Sequence, residues 1–406
     1  MNIYVLKFGG SSVATPERML NVGRIIEAYY KKGIKVVVVV SAPGKTTDNL
    51  IEIAKKINPH PPERELDMLL STGEQQSIAL LALALEKLKV PAISFTGYQV
   101  GIITDPNFTK ARIRLIQRKK ILNELKKGKV VIVAGFQGVT EKGDITTLGR
   151  GGSDLTAVAL ASVLKAKICE IYTDVDGVYS CDPRIVKNAK KIKRITYDEM
   201  LELASAGAKV MQSRAMEVAK KFNVLLHIRS SFKRVEGTYV EEEKMALEEV
   251  VVRGVTHDEN QVKVSIVDVP DVPGIAAYVF GELAKKNINV DMIIQSAARN
   301  GKNDISFTIR REDKKIASEI MEKVRKKLKA KEVIFNDDVA KVSIVGIGMR
   351  SHSGVAARMF KALARKKINI EMISTSEIKV SCVINRKDVK KAVMELSKEF
   401  GLLRRK

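Results

Sequence analysis

The sequence of 406 residues contains no tryptophan, three cysteines and four histidines, and aromatic residues make up only 5% of it. Each scarcity closes a class of function. Cys169, Cys181 and Cys382 are scattered, odd in number and never in a C-x-x-C pair, so neither a disulfide framework nor a thiol redox motif is encoded. The histidines lack metal-ligand spacing, and no protein-held metal is expected. Aromatics are too few to stack along a single-stranded nucleic acid. The longest apolar runs, such as Ile78 to Leu85, are too short to span a bilayer, and the N-terminus lacks the basic-then-apolar pattern of a secretory signal. A cytoplasmic protein is expected.

Apolar residues, at 45%, suffice for a large core, and the length predicts at least two domains. Lys and Arg number 71 against 47 Asp and Glu, a net charge of +24. Basic runs such as Lys110 to Lys129 bring nucleic acid to mind, but Ile113, Ile116, Ile121 and Leu125 interleave with the basic residues at helical spacing. That pattern predicts an amphipathic helix with a solvated basic face, and small anionic substrates account for the charge more simply. Richness in Lys and Glu without Trp is in keeping with a thermophilic source.

The most informative segment is Thr147-Leu148-Gly149-Arg150-Gly151-Gly152-Ser153-Asp154, directly before an apolar run, Leu155 to Leu164, that reads as a helix. Glycines let main-chain N–H groups approach a ligand, and the helix N-terminus favours an anion. Arg150 suits a carboxylate with two parallel hydrogen bonds, whereas Asp154 fits only a metal or a ligand cation. A second cluster, Ile3-Tyr4-Val5-Leu6-Lys7-Phe8-Gly9-Gly10-Ser11-Ser12, is a strand running into a Lys and a glycine turn before a helix from Pro16 to Tyr30, an arrangement suited to phosphate oxygens. Two decoys fail. Ala42-Pro43-Gly44-Lys45-Thr46 resembles the end of a P-loop, but Val39 stands where the first glycine is required, and Asp154 breaks the dinucleotide pattern around Gly149. A third strand-and-turn, Ile171 to Arg184, carries acids, an aromatic and an arginine suited to a nucleotide's base and ribose.

Together with Leu70-Ser71-Thr72-Gly73-Glu74-Gln75-Gln76-Ser77 and Gly207-Ala208-Lys209-Val210-Met211-Gln212-Ser213-Arg214-Ala215, these clusters resemble the aspartate kinase branch of the amino-acid kinase family, over essentially the whole chain. The resemblance implies that Lys7, Phe8, Gly9, Gly10 and Ser11 contact the ATP phosphates, and that Thr173, Asp174, Tyr179, Asp182, Arg184 and Lys209 surround the nucleotide. It implies that Ser41, Thr47, Glu74, Arg150, Gly151, Gly152 and Ser153 hold aspartate, with Lys7 and Asp154 as the catalytic pair. ATP would bring Mg²⁺, held mainly by its phosphates.

The residue types make sense for that chemistry. A side-chain carboxylate with a pKa of about 3.9 is already ionised at neutral pH, so the nucleophile needs no general base. The task is to bring two anions together, which calls for a lysine, main-chain amides and Mg²⁺. Arg150 is assigned to the substrate's α-carboxylate and Glu74 to its α-ammonium. The residues alone leave other readings open: Glu74 as a helix first-turn acid beside Ser71 and Thr72, and Arg150 as an exposed ion-pair residue.

Beyond about residue 240 the chain repeats itself. Pro273 to Phe280 aligns with Ser353 to Phe360, and Ile288 to Ile293 with Ile368 to Ile373, at one offset, 354 − 274 = 368 − 288 = 80. The first unit reads as strand Val262 to Val269, helix Ile275 to Lys286, strands Asn289 to Gln295 and Asp304 to Arg310, helix Lys314 to Leu328 and strand Lys331 to Phe335. The second lacks a last strand, and a spare one, Glu249 to Val255, is available to complete it. The pair resembles tandem ACT domains. That resemblance puts an amino-acid effector, lysine or threonine or both, at Asp271, Gly274, Ile275, Ala276, Asn289, Asp291 and Gln295, with Ser374 and Thr375 contributing from the second unit. It also implies a homo-oligomer joined through these modules. Met245 reads as an internal methionine, the alternative being the start of a separate regulatory subunit.

The expected fold is α/β: an amino-acid-kinase-like three-layer α/β/α domain over residues 1–240, a linker 241–248, and two ferredoxin-like βαββαβ ACT modules, 262–336 and 249–257 plus 337–406. The expected function is feedback-regulated, ATP-dependent phosphorylation of L-aspartate, the first step toward lysine, threonine and methionine. The rivals are a related kinase acting on glutamate, N-acetylglutamate or UMP, a catalytically silent amino-acid sensor, and, last, a nucleic-acid regulator.

Overall fold

A computed structural model describes residues 1–208, 210–242 and 251–404, apart from the side chain of Ser351. The chain forms two compact units: Met1–Val178 with Lys191–Ala204 and Lys209–Ala246, and Tyr179–Lys190 with Ser205–Ala208 and Leu247–Lys406.

The first unit begins β1 (Ile3–Phe8), α1 (Pro16–Tyr30), β2 (Lys35–Val40), α2 (Thr46–Ile57), α3 (Glu63–Lys87) and β3 (Ala92–Phe95). It continues through β4 (Ile102–Thr104), β5 (Ile113–Ile116), α4 (Lys119–Lys126), β6 (Val130–Ala134), β7 (Gln137–Val139), β8 (Ile145–Thr147) and α5 (Gly152–Val163). β9 (Ile168–Thr173), β10 (Arg194–Thr196), α6 (Tyr197–Ser205), α7 (Ser213–Lys221), β11 (Leu226–Ser230) and β12 (Thr238–Glu241) complete it. Eight strands make one sheet in the order β10-β12-β11-β9-β1-β2-β6-β3, parallel from β11 to β3. The unbroken apolar run of β2 fits a strand covered on both faces. On one face α1 and α3 bury Val22, Ile26, Leu81 and Leu85 against Leu6, Val38 and Ile132, and α5 packs against β1, β2 and β9. A small sheet, β5-β4-β7-β8, carries the chain into α5.

Two local expectations give way. Ile113 and Ile116 lie on β5, whose partner β4 captures the β-branched Ile-Arg-Leu-Ile segment, and the helix begins only at Lys119, with Ile121 and Leu125 fully buried. At the other end, β12 runs one residue into the segment expected as linker, Glu241 pairing with Thr196. Residues 243–250, with Met245 and the first part of the spare strand, lie outside the described residues.

The second unit holds two four-stranded antiparallel sheets. β14 (Gln261–Pro270), α8 (Ile275–Ala284), β15 (Val290–Gln295), β16 (Lys302–Arg310), α9 (Lys314–Leu328) and β17 (Glu332–Asn336) give the order β15-β16-β14-β17. β18 (Val339–Val345), α10 (Val355–Arg365), β19 (Ile370–Ser376), β20 (Lys379–Asn385) and α11 (Val389–Glu399) form the second module, and β13 (Gly254–Asp258) pairs with β18 at its edge. Among the described residues the interleaved strand spans Gly254–Asp258. Residues 179–190 depart from the 1–240 grouping because Cys181, Val186 and Ala189 are buried in the core built on Val342, Ile344, Met359 and Leu396. The two modules meet through related residues: Met292 and Met372 share one small core, Lys263 pairs with Glu371 at 3.1 Å, and Lys341 pairs with Asp291.

Candidate active site

In the large sheet the chain fills one side of β1 with β2, β6 and β3 and then crosses to the other with β9 and β11. The reversal opens a crevice at the carboxyl ends of the central strands, where ligands of such sheets bind. Lys7 ends up there, beside the end of β1, almost fully buried. Its Nζ lies 2.7 Å from Asp154 Oδ1, both side chains 11% exposed, and Asp154 stands in the first turn of α5, where the helix end favours a carboxylate. Gly9 follows, its N–H donating to Tyr172 O at 3.2 Å, and Phe8 stacks on the Tyr172 ring at 4.6 Å. At Gly10 a Cβ would stand 2.5 Å from the carbonyl oxygen of Ala42, so only glycine allows the turn to lie this close to the loop after β2. The Gly44 N–H donates to Gly10 O at 3.0 Å and fixes that approach. Ser11 is half-buried, its carbonyl accepting from Arg18.

Glu74 lies deep inside α3 and is 2% exposed, which removes the first-turn reading. Its Oε1 accepts the Ala42 N–H at 3.0 Å, while Oε2, also buried, has no partner among the described residues. Burial pushes its carboxyl up to about 8, only partly opposed by that N–H. Ser41 opens the adjacent loop, its carbonyl accepting from Ser77 Oγ at 2.7 Å, and Thr47 is half-buried in the first turn of α2. A buried carboxyl oxygen without a partner is a site that a hydrogen-bond donor or cation could satisfy.

Across the crevice, Gly149 and Gly151 take left-handed conformations, φ +80° and +77°, on either side of Arg150. The Arg150 side chain is 88% exposed and reaches Asp48 Oδ1 at only 3.5 Å, an open guanidinium rather than a committed ion pair. Gly152 and Ser153 are buried at the start of α5, Ser153 lying against Gly135 at the end of β6. Lys7, Gly9, Gly10, Ser41, Glu74, Ser153 and Asp154 therefore converge at the ends of β1, β2 and β6.

The remaining expected residues lie on other segments of the chain. Thr173 closes β9, its hydroxyl donating to Asp174, which is exposed. Tyr179, Asp182 and Arg184 belong to the second compact unit, where Arg184 grips Asp182 through Nε at 3.0 Å and Nη2 at 2.7 Å. Lys209 lies outside the described residues. Around α8, Gly274 is left-handed, and Ile275, Ala276, Asn289 and Gln295 are half-buried or exposed. Asp271 accepts from Asn303 Nδ2 at 2.8 Å. The Asp291 carboxylate, expected for an effector's ammonium, is taken by the buried Lys341. Ser374 and Thr375 lie on β19.

Several residues escaped sequence reasoning. Asp67, fully buried on α3, accepts from the main-chain N–H groups of Thr109 and Thr147 at 2.8 Å each and from the Thr147 hydroxyl at 2.6 Å, and burial raises its carboxyl above the usual range. Arg214 donates to Leu148 O and Ala111 O at 2.9 Å each, and Gln212 to Arg150 O at 2.9 Å. Beneath the glycine turn, burial favours protonation of Glu170, but bonds from His227 and Tyr29 and the nearby Arg229 outweigh it and lower its pKa. Their partners lie far away in sequence, so although Gln212 and Arg214 sit in the Gly207 to Ala215 motif, nothing local gives any of these residues its role.

Among the described residues no helix is long and apolar enough to cross a membrane, and no group of three His, Cys, Asp or Glu side chains is placed to hold a metal. Residues 2–230 match the amino acid kinase family, and residues 264–328 and 342–400 each match an ACT domain. An aspartate kinase of Stutzerimonas stutzeri is 50% identical over 403 residues, 99% of this chain and 98% of that one. Escherichia coli aspartokinase III, solved with aspartate and ADP in its R-state, superposes with a TM-score of 0.84 at 26% identity over 98% of this chain and 99% of that one. The same enzyme with lysine and aspartate, in its T-state, gives 0.78 at 27% identity over 98% and 100%.

Proposed function

The chain belongs to the aspartate kinases of the amino acid kinase family, ATP-dependent enzymes that phosphorylate the side-chain carboxylate of L-aspartate, and from that premise we propose which of its residues do the work. The buried Lys7–Asp154 pair at the junction of β1 and α5 carries the reading. Lys7, with the amides of Gly10 and Ser11, neutralises the phosphate oxygens as charge shifts during transfer, and Asp154 holds the Lys7 ammonium in place. ATP would enter with Mg²⁺ on its phosphates, and the ion's ligands would come mainly from the nucleotide.

The acceptor lies between two opposed charges. Arg150 takes its α-carboxylate and Glu74 its α-ammonium, with Ser41, Thr47 and the Gly151-Gly152-Ser153 helix start supplying neutral hydrogen bonds. This leaves the side-chain carboxylate as the free nucleophile. Thr173 and Asp174 border the nucleotide at the end of β9.

Lysine, which occupies the T-state relative, is the proposed effector, with threonine as the second candidate, acting at the Asp271 to Ala276 turn of the first ACT module. Asp271 is the acid left for its ammonium once Asp291 is held by Lys341. Pairing of ACT modules between chains would carry the signal. The reaction belongs to cytoplasmic lysine, threonine and methionine biosynthesis. The test is ATP turnover with L-aspartate, L-glutamate or no acceptor, with hydroxylamine to trap acyl phosphate, repeated with lysine and threonine. Aspartate-dependent hydroxamate that falls with an effector supports both halves; turnover indifferent to the acceptor would overturn the acceptor site.

A further inference from the structure

We infer that Asp67 and Arg214 are positioning residues for phosphoryl transfer, cross-bracing the main chain from Thr147 to Arg150 so that Arg150, Ser153 and Asp154 meet the acceptor and Lys7 in one fixed geometry. The inference rests on the reading of Arg150 and Ser153 as acceptor ligands.

The segment needs bracing. Left-handed glycines flank Arg150, and glycine loses more conformational freedom on ordering than any other residue. Two helices supply the brace, and both side chains tie together the same two stretches of chain. Asp67 on α3 receives the Thr109 and Thr147 N–H groups on Oδ2 and the Thr147 hydroxyl on Oδ1. Arg214 on α7 sends Nη1 to Leu148 O and Nη2 to Ala111 O, a fork spanning two carbonyls. Between them the Ala111 N–H donates to Thr147 O at 2.9 Å. A buried carboxylate satisfied entirely by hydrogen-bond donors of the segment it holds is costly in any other loop conformation, so Asp67 favours this one strongly.

The brace grips only the backbone. Gln212 likewise fixes the carbonyl of Arg150, yet the Arg150 side chain stays 88% exposed and free for a ligand. A loop built to capture an anion has to be held without occupying its cation, and main-chain bracing from beneath does this. Small displacements matter here, because a misplacement of about 1 Å costs on the order of a hundredfold in rate.

Steady-state kinetics of Asp67→Ala, Asp67→Asn, Arg214→Lys and Arg150→Ala, each measured well below its melting temperature and corrected for folded fraction, test the inference. Asp67→Ala and Arg214→Lys should lower kcat/KM for aspartate by on the order of a hundredfold, with KM for ATP within about twofold of wild type. Asp67→Asn should recover most of the loss: its carbonyl accepts both N–H groups while its amide donates to the Thr147 hydroxyl. In an Arg150→Ala background, Asp67→Ala should raise KM for aspartate by clearly less than it does alone, since part of its effect acts through Arg150. Variants that merely melt earlier with wild-type constants, or that raise both KM values alike, would refute the bracing. Arg150→Ala with unchanged KM for aspartate sinks the acceptor reading itself. A raised KM there, alongside wild-type constants in Asp67→Ala and Arg214→Lys, sinks the bracing alone.

Discussion

Aspartate binding should release a proton from Glu74. In the free protein its carboxyl is pushed up to about 8, because the side chain is 2% exposed, Oε2 has no partner among the described residues, and the main-chain N–H groups of Ala42 and of Glu74 itself only partly oppose the desolvation. At pH 7, one unit below that value, about nine tenths of the molecules carry the proton. An ammonium ligand pairs only with the ionised form, so binding must expel the proton at a cost of about 1.4 kcal/mol at pH 7 and about twice that at pH 6. Apparent affinity for aspartate should therefore rise about a hundredfold from pH 6 to a plateau above 8. Titration calorimetry with ADP present, in buffers of different ionisation enthalpy, reads the proton count directly. The expected release at pH 7 is about 0.9 proton per aspartate, abolished together with the pH dependence in Glu74→Gln. Affinity flat across pH 6 to 9 with no proton exchanged would refute the reasoning.

Glu74 also bears on stability: its folded value lies above the ordinary 4.5, so the folded state holds the extra proton and stability falls as pH rises from about 4.5 to 8. Glu74→Gln should remove that slope in denaturant unfolding of the ligand-free protein. Glu170 runs the other way; its depressed value contributes stability above pH 4.5 that is lost on acidification, and Glu170→Gln, which strips Arg229 and His227 of their anion, should cost about 3 kcal/mol at pH 7 in the same experiment. Asp154→Asn leaves the Lys7 ammonium without its anchor and should lower kcat by on the order of a hundredfold in protein that still melts cooperatively, though at a lower temperature. Gly10→Ala drives a Cβ to 2.5 Å from Ala42 O, and the resulting shift of the turn should raise KM for ATP more than KM for aspartate.

What the sequence made legible was local. Lys7 at a strand end, the glycine turn after it, and the helix after Gly151 could be read because each motif is contiguous and its period unambiguous. The offset of 80 exposed two modules, and the same offset relates Asp291 to Glu371 (371 − 291 = 80), the acids that clasp the modules to each other. Glu74 was ambiguous in sequence since an acid near Ser and Thr reads as a cap; only its burial well inside α3 removes that reading. Asp67 was invisible, because its partners lie 42 and 80 residues away and a lone acid on a helix carries no signal. The stretch from Lys110 to Lys129 misled for the opposite reason: the helical spacing of Ile113 and Ile116 yielded to strand pairing with Thr104 and Ile102, a tertiary effect that periodicity does not contain.

The central claim is that phosphoryl transfer to aspartate occurs where Lys7 meets Asp154. Aspartate-dependent hydroxamate formation by wild type and Lys7→Ala, with thermal melting of both to confirm the fold, tests it most directly. Wild type should form hydroxamate with aspartate, and Lys7→Ala should fall by about a thousandfold while still melting cooperatively. A folded Lys7→Ala protein with unchanged turnover would contradict the account.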